Sequence, residues 1–158
     1  AVRIYRLLAD GRRQIVAFHL VGETFGFEIN ETHSFYAEAM VNTGLTTVER
    51  AAGGQLNDRL VGVALKAMVR AQEHLLVVGR QSSLEKIAVF LVDLADRQGG
   101  TDLIDLPMSR IDIGDYLGLT IETVSRMISQ LQASKVIRLT TLRQVRICDP
   151  QALRLLAA

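Results

Sequence analysis

Between Ser109 and Leu131 the chain carries two short helical patterns broken at Gly118, and no other stretch restricts the fold so tightly. Ile121, Val124, Ile128 and Leu131 recur at spacings of three, four and three, which makes one apolar stripe along a helix and predicts core positions. Glu122, Ser125, Arg126 and Ser129 occupy the opposite side and are expected to face outward. Thr120 is a good N-cap just ahead of this run. Upstream, Ser109 can cap a first helix in which Ile113 and Leu117 are four apart, so that Gly118-Leu119 leaves only a short turn. Two helices joined so closely, the second with polar groups near its N-terminus, match the helix-turn-helix arrangement whose second helix enters the major groove. An ordinary helical corner with a solvated face fits the same pattern.

The next segment bears on that choice. Val136-Ile137-Arg138-Leu139-Thr140 and Gln144-Val145-Arg146-Ile147-Cys148 alternate as strands do and read as a small hairpin, a wing behind the second helix. Lys135, Arg138, Arg143 and Arg146 on it are suited to phosphate contacts, which position a protein on a duplex without reading sequence. The alternative is a basic face that merely keeps the hairpin soluble.

These residues carry a family resemblance. Asp112-Ile113-Gly114-Asp115-Tyr116-Leu117-Gly118-Leu119-Thr120 followed by Glu122-Thr123-Val124-Ser125-Arg126 resembles the helix-turn-helix signature of the Crp/Fnr superfamily of bacterial transcription regulators. The Glu-x-x-Ser-Arg triplet is similar to that of its Fnr and FixK branches. The resemblance implies an α+β fold: an N-terminal β-roll of the cyclic-nucleotide-binding type, a long dimerisation helix and a C-terminal winged helix-turn-helix. Mapped onto this chain, it divides residues 1–52 as a sensor-like β-roll, 53–80 as dimerisation helix and hinge, and 81–158 as the DNA-binding domain.

Val2 to Leu8 and Gln14 to Leu20 around an Asp10-Gly11 turn read as a hairpin, and Ala37 to Val41 and Leu45 to Val48 offer two further strands. About four strands are few for a closed roll, and the chain opens on Ala1 already within a strand-like pattern. An N-terminal part of the roll is therefore expected to lie outside this sequence. Gly22-Glu23-Thr24-Phe25-Gly26 resembles the Gly-Glu-x-x-Gly turn of the superfamily's phosphate-binding cassette. The cyclic-AMP binders follow it with an Arg-Ser or Arg-Thr pair, whereas this chain reads Thr32-His33-Ser34-Phe35-Tyr36, and a neutral histidine cannot supply the arginine fork. The glycines are expected to serve as structural turns, with no nucleotide bound.

Fnr-type oxygen sensors hold an iron–sulfur cluster on about four cysteines. One cysteine, Cys148, excludes a cluster held within this sequence. Burial as a small apolar residue is the expectation for it; exposure beside Arg146 would instead make it a candidate redox position. Between the two domains, Val61, Leu65, Met68, Gln72 and Leu75 alternate at four and three along Asn57 to Gly79, the seam of a coiled coil that calls for a partner helix. Ser82 to Arg97 reads as another amphipathic helix, with Leu84, Ile87, Ala88, Leu91, Leu94 and Ala95 inward and Gly79-Arg80-Gln81 as the hinge before it. Asp102 to Pro107 is a short strand leading into the helix pair.

A net charge of +1 over 158 residues says nothing for nucleic acid by itself, so that inference rests on local placement. No apolar run is long enough to span a bilayer, no disulfide pair exists, and His19, His33 and His74 lie at no metal-ligand spacing. No Gly-rich loop is followed by the lysine that phosphate transfer requires. A cytoplasmic protein that is not an enzyme and carries no cofactor is the expectation.

The residues imply a dimeric, sequence-specific regulator without cyclic AMP, and the resemblance implies that it reads a palindrome with TTGA-type half-sites and activates by touching RNA polymerase. Glu122, Ser125 and Arg126 would read bases, while Thr120, Thr123, Ser129, Lys135 and Arg143 would hold the backbone. The alternative is an effector-dependent sensor or a repressor whose signal site lies in the β-roll or ahead of it; a winged helix serving only protein contacts also stays open.

Overall fold

The structure is a computed structural model that describes residues 1–27, 32–48, 58–80 and 82–158. The chain falls into two compact units, Ala1–Leu75 and Leu76–Ala158.

In the first unit, strands β1 (Val2–Leu7) and β2 (Arg13–His19) form an antiparallel hairpin, and β3 (Tyr36–Ala39) pairs with the other edge of β1, giving the order β2-β1-β3. The hairpin turn is set by local chemistry. Asp10 Oδ1 accepts the Arg12 amide at 3.0 Å, and Gly11 takes the left-handed φ of 81° that an L side chain resists. The Arg12 amide and, with it, the Arg12 guanidinium hold the Asp10 carboxyl below its ordinary pKa. Val2, Ile15 and Phe18 are buried; Ile15 and Phe18, three residues apart, share a face because the pairing with β1 shifts register between Ile4 and Tyr5.

The expected fourth strand is absent: Leu45 to Val48 is irregular, and Leu45 and Val48 lie exposed. Alternation alone does not make a strand; a sheet edge must be there to receive it, and among the described residues none does. The third strand starts at Tyr36 rather than Ala37 and ends at Ala39 rather than Val41, because its pairing with β1 runs from Tyr5↔Tyr36 to Val2↔Ala39. Helix α1 (Asp58–Gly79) follows, its start within a residue of the sequence reading; Asn57 lies outside the described residues. The boundary between the two units falls inside this helix.

The second unit begins with α2 (Ser83–Arg97), capped by Ser82, whose hydroxyl accepts the Glu85 amide. Ile87, Ala88, Leu91, Leu94 and Ala95 are buried as the pattern predicts, with Leu84 half-buried, and Phe90 joins them. Strand β4 (Leu103–Asp105), helix α3 (Arg110–Leu117), helix α4 (Ile121–Ala133), strands β5 (Ile137–Thr141) and β6 (Gln144–Ile147), and helix α5 (Pro150–Ala157) complete it. The three strands form an antiparallel sheet of order β4-β6-β5, which closes one side of a core built from α2, α3, α4 and α5. Lys86 is buried among them. Its Nζ donates to the Leu117 carbonyl at 3.4 Å, placing a cation at the C-terminal end of α3, where carbonyls lack partners within the helix.

Helix α5 had no counterpart in the sequence reading. Asp149 caps it by accepting the Ala152 amide at 2.9 Å, Pro150 stands in its first turn, and Leu153 is buried against α2. The Asp-Pro pair was the available signal, since proline is favoured at the first helical position.

Candidate nucleic-acid interface

Helix α3 is fixed at both ends, and α4 at its start, by local chemistry. Ser109 and Asp112 form a reciprocal capping box: Ser109 Oγ accepts the Asp112 amide at 3.1 Å, and Asp112 Oδ2 accepts the Ser109 amide at 2.9 Å and its hydroxyl at 2.8 Å. These bonds satisfy a carboxylate that is almost fully buried. At the other end of α3, Gly118 adopts φ 66°, and the Gly114 carbonyl accepts both the Gly118 and the Leu119 amide. Gly114 leaves no room for a side chain, because a Cβ there would stand 2.6 Å from the Leu119 carbonyl oxygen. Thr120 caps α4, accepting the Thr123 amide at 3.2 Å and donating its hydroxyl to Thr123 Oγ1 at 3.1 Å.

Helix α4 then buries Val124, Met127, Ile128 and Leu131 and exposes Glu122, Ser125, Arg126 and Ser129. Two positions depart from the apolar stripe read in the sequence. Ile121 is 41% exposed instead of core, because it is the first residue of the helix and lies ahead of the turns that sit on the core. Met127 fills the buried sector in its place. Ile121 therefore joins Glu122, Ser125 and Arg126 on the accessible side, a residue that periodicity alone assigned to the wrong environment. Thr123 is half-buried and engaged with Thr120, while Thr120 and Ser129 are exposed.

Arg110, at the start of α3, also went unremarked in the sequence. Its guanidinium is partly buried, which lowers its pKa from the ordinary arginine value, and Nη1 is enclosed without a hydrogen-bond partner among the described residues. Nothing in spacing or periodicity marks such a position.

On the wing, Lys135 stands in the connection from α4 to β5 with φ 60°, the left-handed region where glycine or asparagine is the usual occupant. Lys135 and Arg143 are exposed, as are Arg138 and Arg146, which face each other directly across β5 and β6. Cys148 is exposed, against the expectation of burial. Val145 and Ile147 point inward, so alternation turns Arg146 and Cys148 outward.

In the first unit, Gly22 and Gly26 both have left-handed φ values, 81° and 89°, as turn glycines do. Glu23 between them is engaged internally: its carboxylate accepts the Leu20 amide at 3.0 Å and pairs with Arg70 of α1 at 2.8 Å. His33 and Ser34 are exposed. The seam positions Val61, Leu65, Met68, Gln72 and Leu75 of α1 are all exposed. Among the described residues no helix is long and apolar enough to cross a membrane, and no group of acidic, histidine or cysteine side chains is placed to hold a metal ion.

Residues 85–156 match the model of the Crp-like helix-turn-helix domain. The chain is 56% identical to the nitrogen fixation regulation protein FixK of Rhizobium meliloti, over 98% of this chain and 73% of that protein. It is 39% identical to the transcriptional activatory protein AadR of Rhodopseudomonas palustris, over 99% of this chain and 70% of the relative. The solved structure of FixK2 from Bradyrhizobium japonicum superposes with a TM-score of 0.85 at 38% identity, covering 99% of this chain and 83% of that one. A buried helix pair ending in a capped, outward-facing α4, a three-stranded wing and these likenesses agree: the chain belongs to the Crp/Fnr family of transcription regulators, among its FixK-like members.

Proposed function

We propose that this protein is a cytoplasmic, dimeric regulator that reads a palindrome of TTGA-type half-sites, one half-site per α4, and activates transcription by contact with RNA polymerase. The observation that carries the reading is the division of α4 into a buried stripe and an accessible side bearing Ile121, Glu122, Ser125 and Arg126. The guanidinium of Arg126 matches the O6 and N7 acceptors of guanine, Glu122 accepts from a cytosine amine, and exposed Ile121 suits the methyl group of thymine. Ser125 can bond either a base edge or the backbone. Thr120, Thr123, Ser129, Lys135 and Arg143 are assigned to phosphates, and Arg110 joins them, since the first helix of such a pair crosses the backbone. The likeness to a protein named a transcriptional activatory protein supports the positive sign of regulation. No catalytic step is assigned.

Lys135 offers a test in which stability and binding move in opposite directions. A lysine in the left-handed region costs about 1 kcal/mol that glycine does not. Lys135→Gly should therefore raise the unfolding free energy by about that amount. It should also weaken binding uniformly across sequences and reduce the slope of log affinity against log salt by about one unit. Denaturant melts and a salt series measure the two effects; a stabilised variant with unchanged salt slope removes Lys135 from the interface.

Dimerisation is assigned to α1. Two recognition helices must lie about 34 Å apart on one face of the duplex, which a twofold pair of such helices provides. Leu65 and Met68, 53% and 52% exposed in the single chain, are the apolar seam that a second copy would cover. Met68→Glu should bring like charges together across that seam and give monomers by sedimentation where the parent sediments as a dimer. A variant that still dimerises would place the contact elsewhere.

The regulator is further proposed to act without cyclic AMP. Position His33-Ser34 has no guanidinium for a phosphate, and the Glu23 carboxylate is already committed to Arg70 and the Leu20 amide. A buried phosphate without a cationic partner costs several kcal/mol. Cys148 is exposed and remains the one thiol available to oxidation in this sequence; a peroxide effect on DNA binding that survives Cys148→Ser would exclude it.

A further inference from the structure

Helix α1 is held to its own unit by little apolar packing. Among its described side chains only Leu60 is buried, with Val63, Ala67 and His74 half-buried on the same side. A helix gripped so lightly can turn about its axis, and the face it offers outward must be set by something more specific than a core. One polar contact does so. Arg70 Nη1 donates to Glu23 Oε1 at 2.8 Å, a bond between residues 47 apart in sequence. At about 100° of rotation per residue, Arg70 lies about 180° from the middle of the seam formed by Val61, Leu65, Met68, Gln72 and Leu75. The tether is on the back of the helix. The seam therefore points away from it, and all five seam positions are exposed.

The carboxylate at the other end is fixed by its own turn. The Leu20 carbonyl accepts the Glu23 amide at 3.1 Å while Glu23 Oε2 accepts the Leu20 amide at 3.0 Å, so the two residues close the turn reciprocally. Leu20 directly follows β2, which anchors the carboxylate to the end of the sheet. The Glu23 side chain is only 15% exposed and that of Arg70 44%, so this is not a freely solvated surface pair of the kind that contributes little. Removing the cation would leave a charge largely shielded from water and short of its partner. His19 Nδ1 stands 3.7 Å from Oε2, too far to replace the bond to Arg70.

We propose that the Glu23–Arg70 pair is a built-in latch that fixes the rotation of α1, so that the seam meets a second copy of this chain with no ligand at the Gly22 to Gly26 turn. Both are positioning residues, acting on the dimer through the seam rather than by contact with the second copy. This rests on the dimeric reading above, and the test separates the two.

The test measures the dimer dissociation constant by sedimentation over a dilution series, and thermal melting, for the full chain and for its Glu23→Gln, Arg70→Gln, Glu23→Gln/Arg70→Gln and Arg70→Lys variants. Glutamine at position 23 keeps an oxygen for the Leu20 amide, and lysine at position 70 keeps a cation for a contact made through one nitrogen. Each single glutamine variant should weaken the dimer about tenfold, because two copies of the pair are lost per dimer. The double variant should be no weaker than the weaker single one, and Arg70→Lys should stay within about threefold of the parent. Rotation is read separately from Leu65→Cys in a Cys148→Ser background. Oxidation should link that seam by a disulfide, and adding Arg70→Gln should cut the yield about threefold or more, since a turned helix carries the thiols out of bonding reach. Additive losses in the double variant, a lysine no better than glutamine, or a lower melting temperature with dimer constant and cross-linking unchanged overturns the latch. A parent that stays monomeric fails the dimeric reading and the latch together; a parent that dimerises equally well with and without the pair fails the latch alone.

Discussion

Gly114→Ala should destabilise the protein by about 1–3 kcal/mol and weaken DNA binding by more than the loss of folded protein explains. In an ordinary helix interior the same change would stabilise by about 1 kcal/mol, because alanine is the better helix former. Here the new Cβ would meet the Leu119 carbonyl oxygen at 2.6 Å, and that atom is backbone in the turn joining α3 to α4. Backbone cannot rotate away as a flexible side chain can. Relief requires moving the turn, which breaks the two bonds that the Gly114 carbonyl receives from Gly118 and Leu119 and tilts α4 at its capped end. Displacing a reading helix by an ångström or so spoils its short hydrogen bonds to base edges. Urea melts and binding titrations on the same preparation measure the two effects. A variant as stable as the parent would show that the turn yields more readily than the packing implies.

The second large effect belongs to Arg126. Arg126→Ala should cost about 1–3 kcal/mol of binding to the intact site, roughly 5- to 150-fold, and should relax selectivity at one base pair in each half-site. A phosphate contact at the same position would behave differently, weakening binding to every sequence alike and lowering the salt slope. The side chain is exposed and away from the buried stripe of Val124, Met127 and Ile128, so the fold should be nearly unaffected. Competition with duplexes substituted one position at a time separates the outcomes. Uniform weakening across the substituted set would move Arg126 to the backbone contacts.

The helix pair was legible because its determinants are local. Ser109, Gly118 and Thr120 act on amides and dihedrals within a few residues of themselves, and the structure uses each as the sequence implies. Ile121 was misread for a reason periodicity cannot contain: a helical wheel treats the first residue like the rest, whereas its burial depends on where the core ends. Leu45 to Val48 alternates well enough for a strand, but a strand is a pairing, and the edge that would receive it is a property of the tertiary fold. Cys148 was within reach of the sequence, since phasing the β6 alternation from Val145 and Ile147 turns it outward.

The candidate site divides in the same way. The spacing of Glu122, Ser125 and Arg126 was enough to put them on one side of α4. The left-handed conformation of Lys135 and the confrontation of Arg138 with Arg146 were not legible. The first depends on how α4 ends, and the second on a register that shifts between Leu139 and Thr141, where one extra residue is accommodated. The seam positions of α1 lie exposed in the single chain, and heptad spacing is what proposes a partner helix for them without saying where it comes from.

The most direct test of the account is a titration of the protein, without any nucleotide and across a salt series, against a duplex carrying inverted TTGA-type half-sites and against the same duplex with the half-sites scrambled. The account predicts binding to the intact palindrome at least about a thousandfold tighter than to the scrambled one, unchanged when cyclic AMP is added. Equal affinity for the two duplexes at every salt concentration, or specificity that emerges only with the nucleotide, would contradict it.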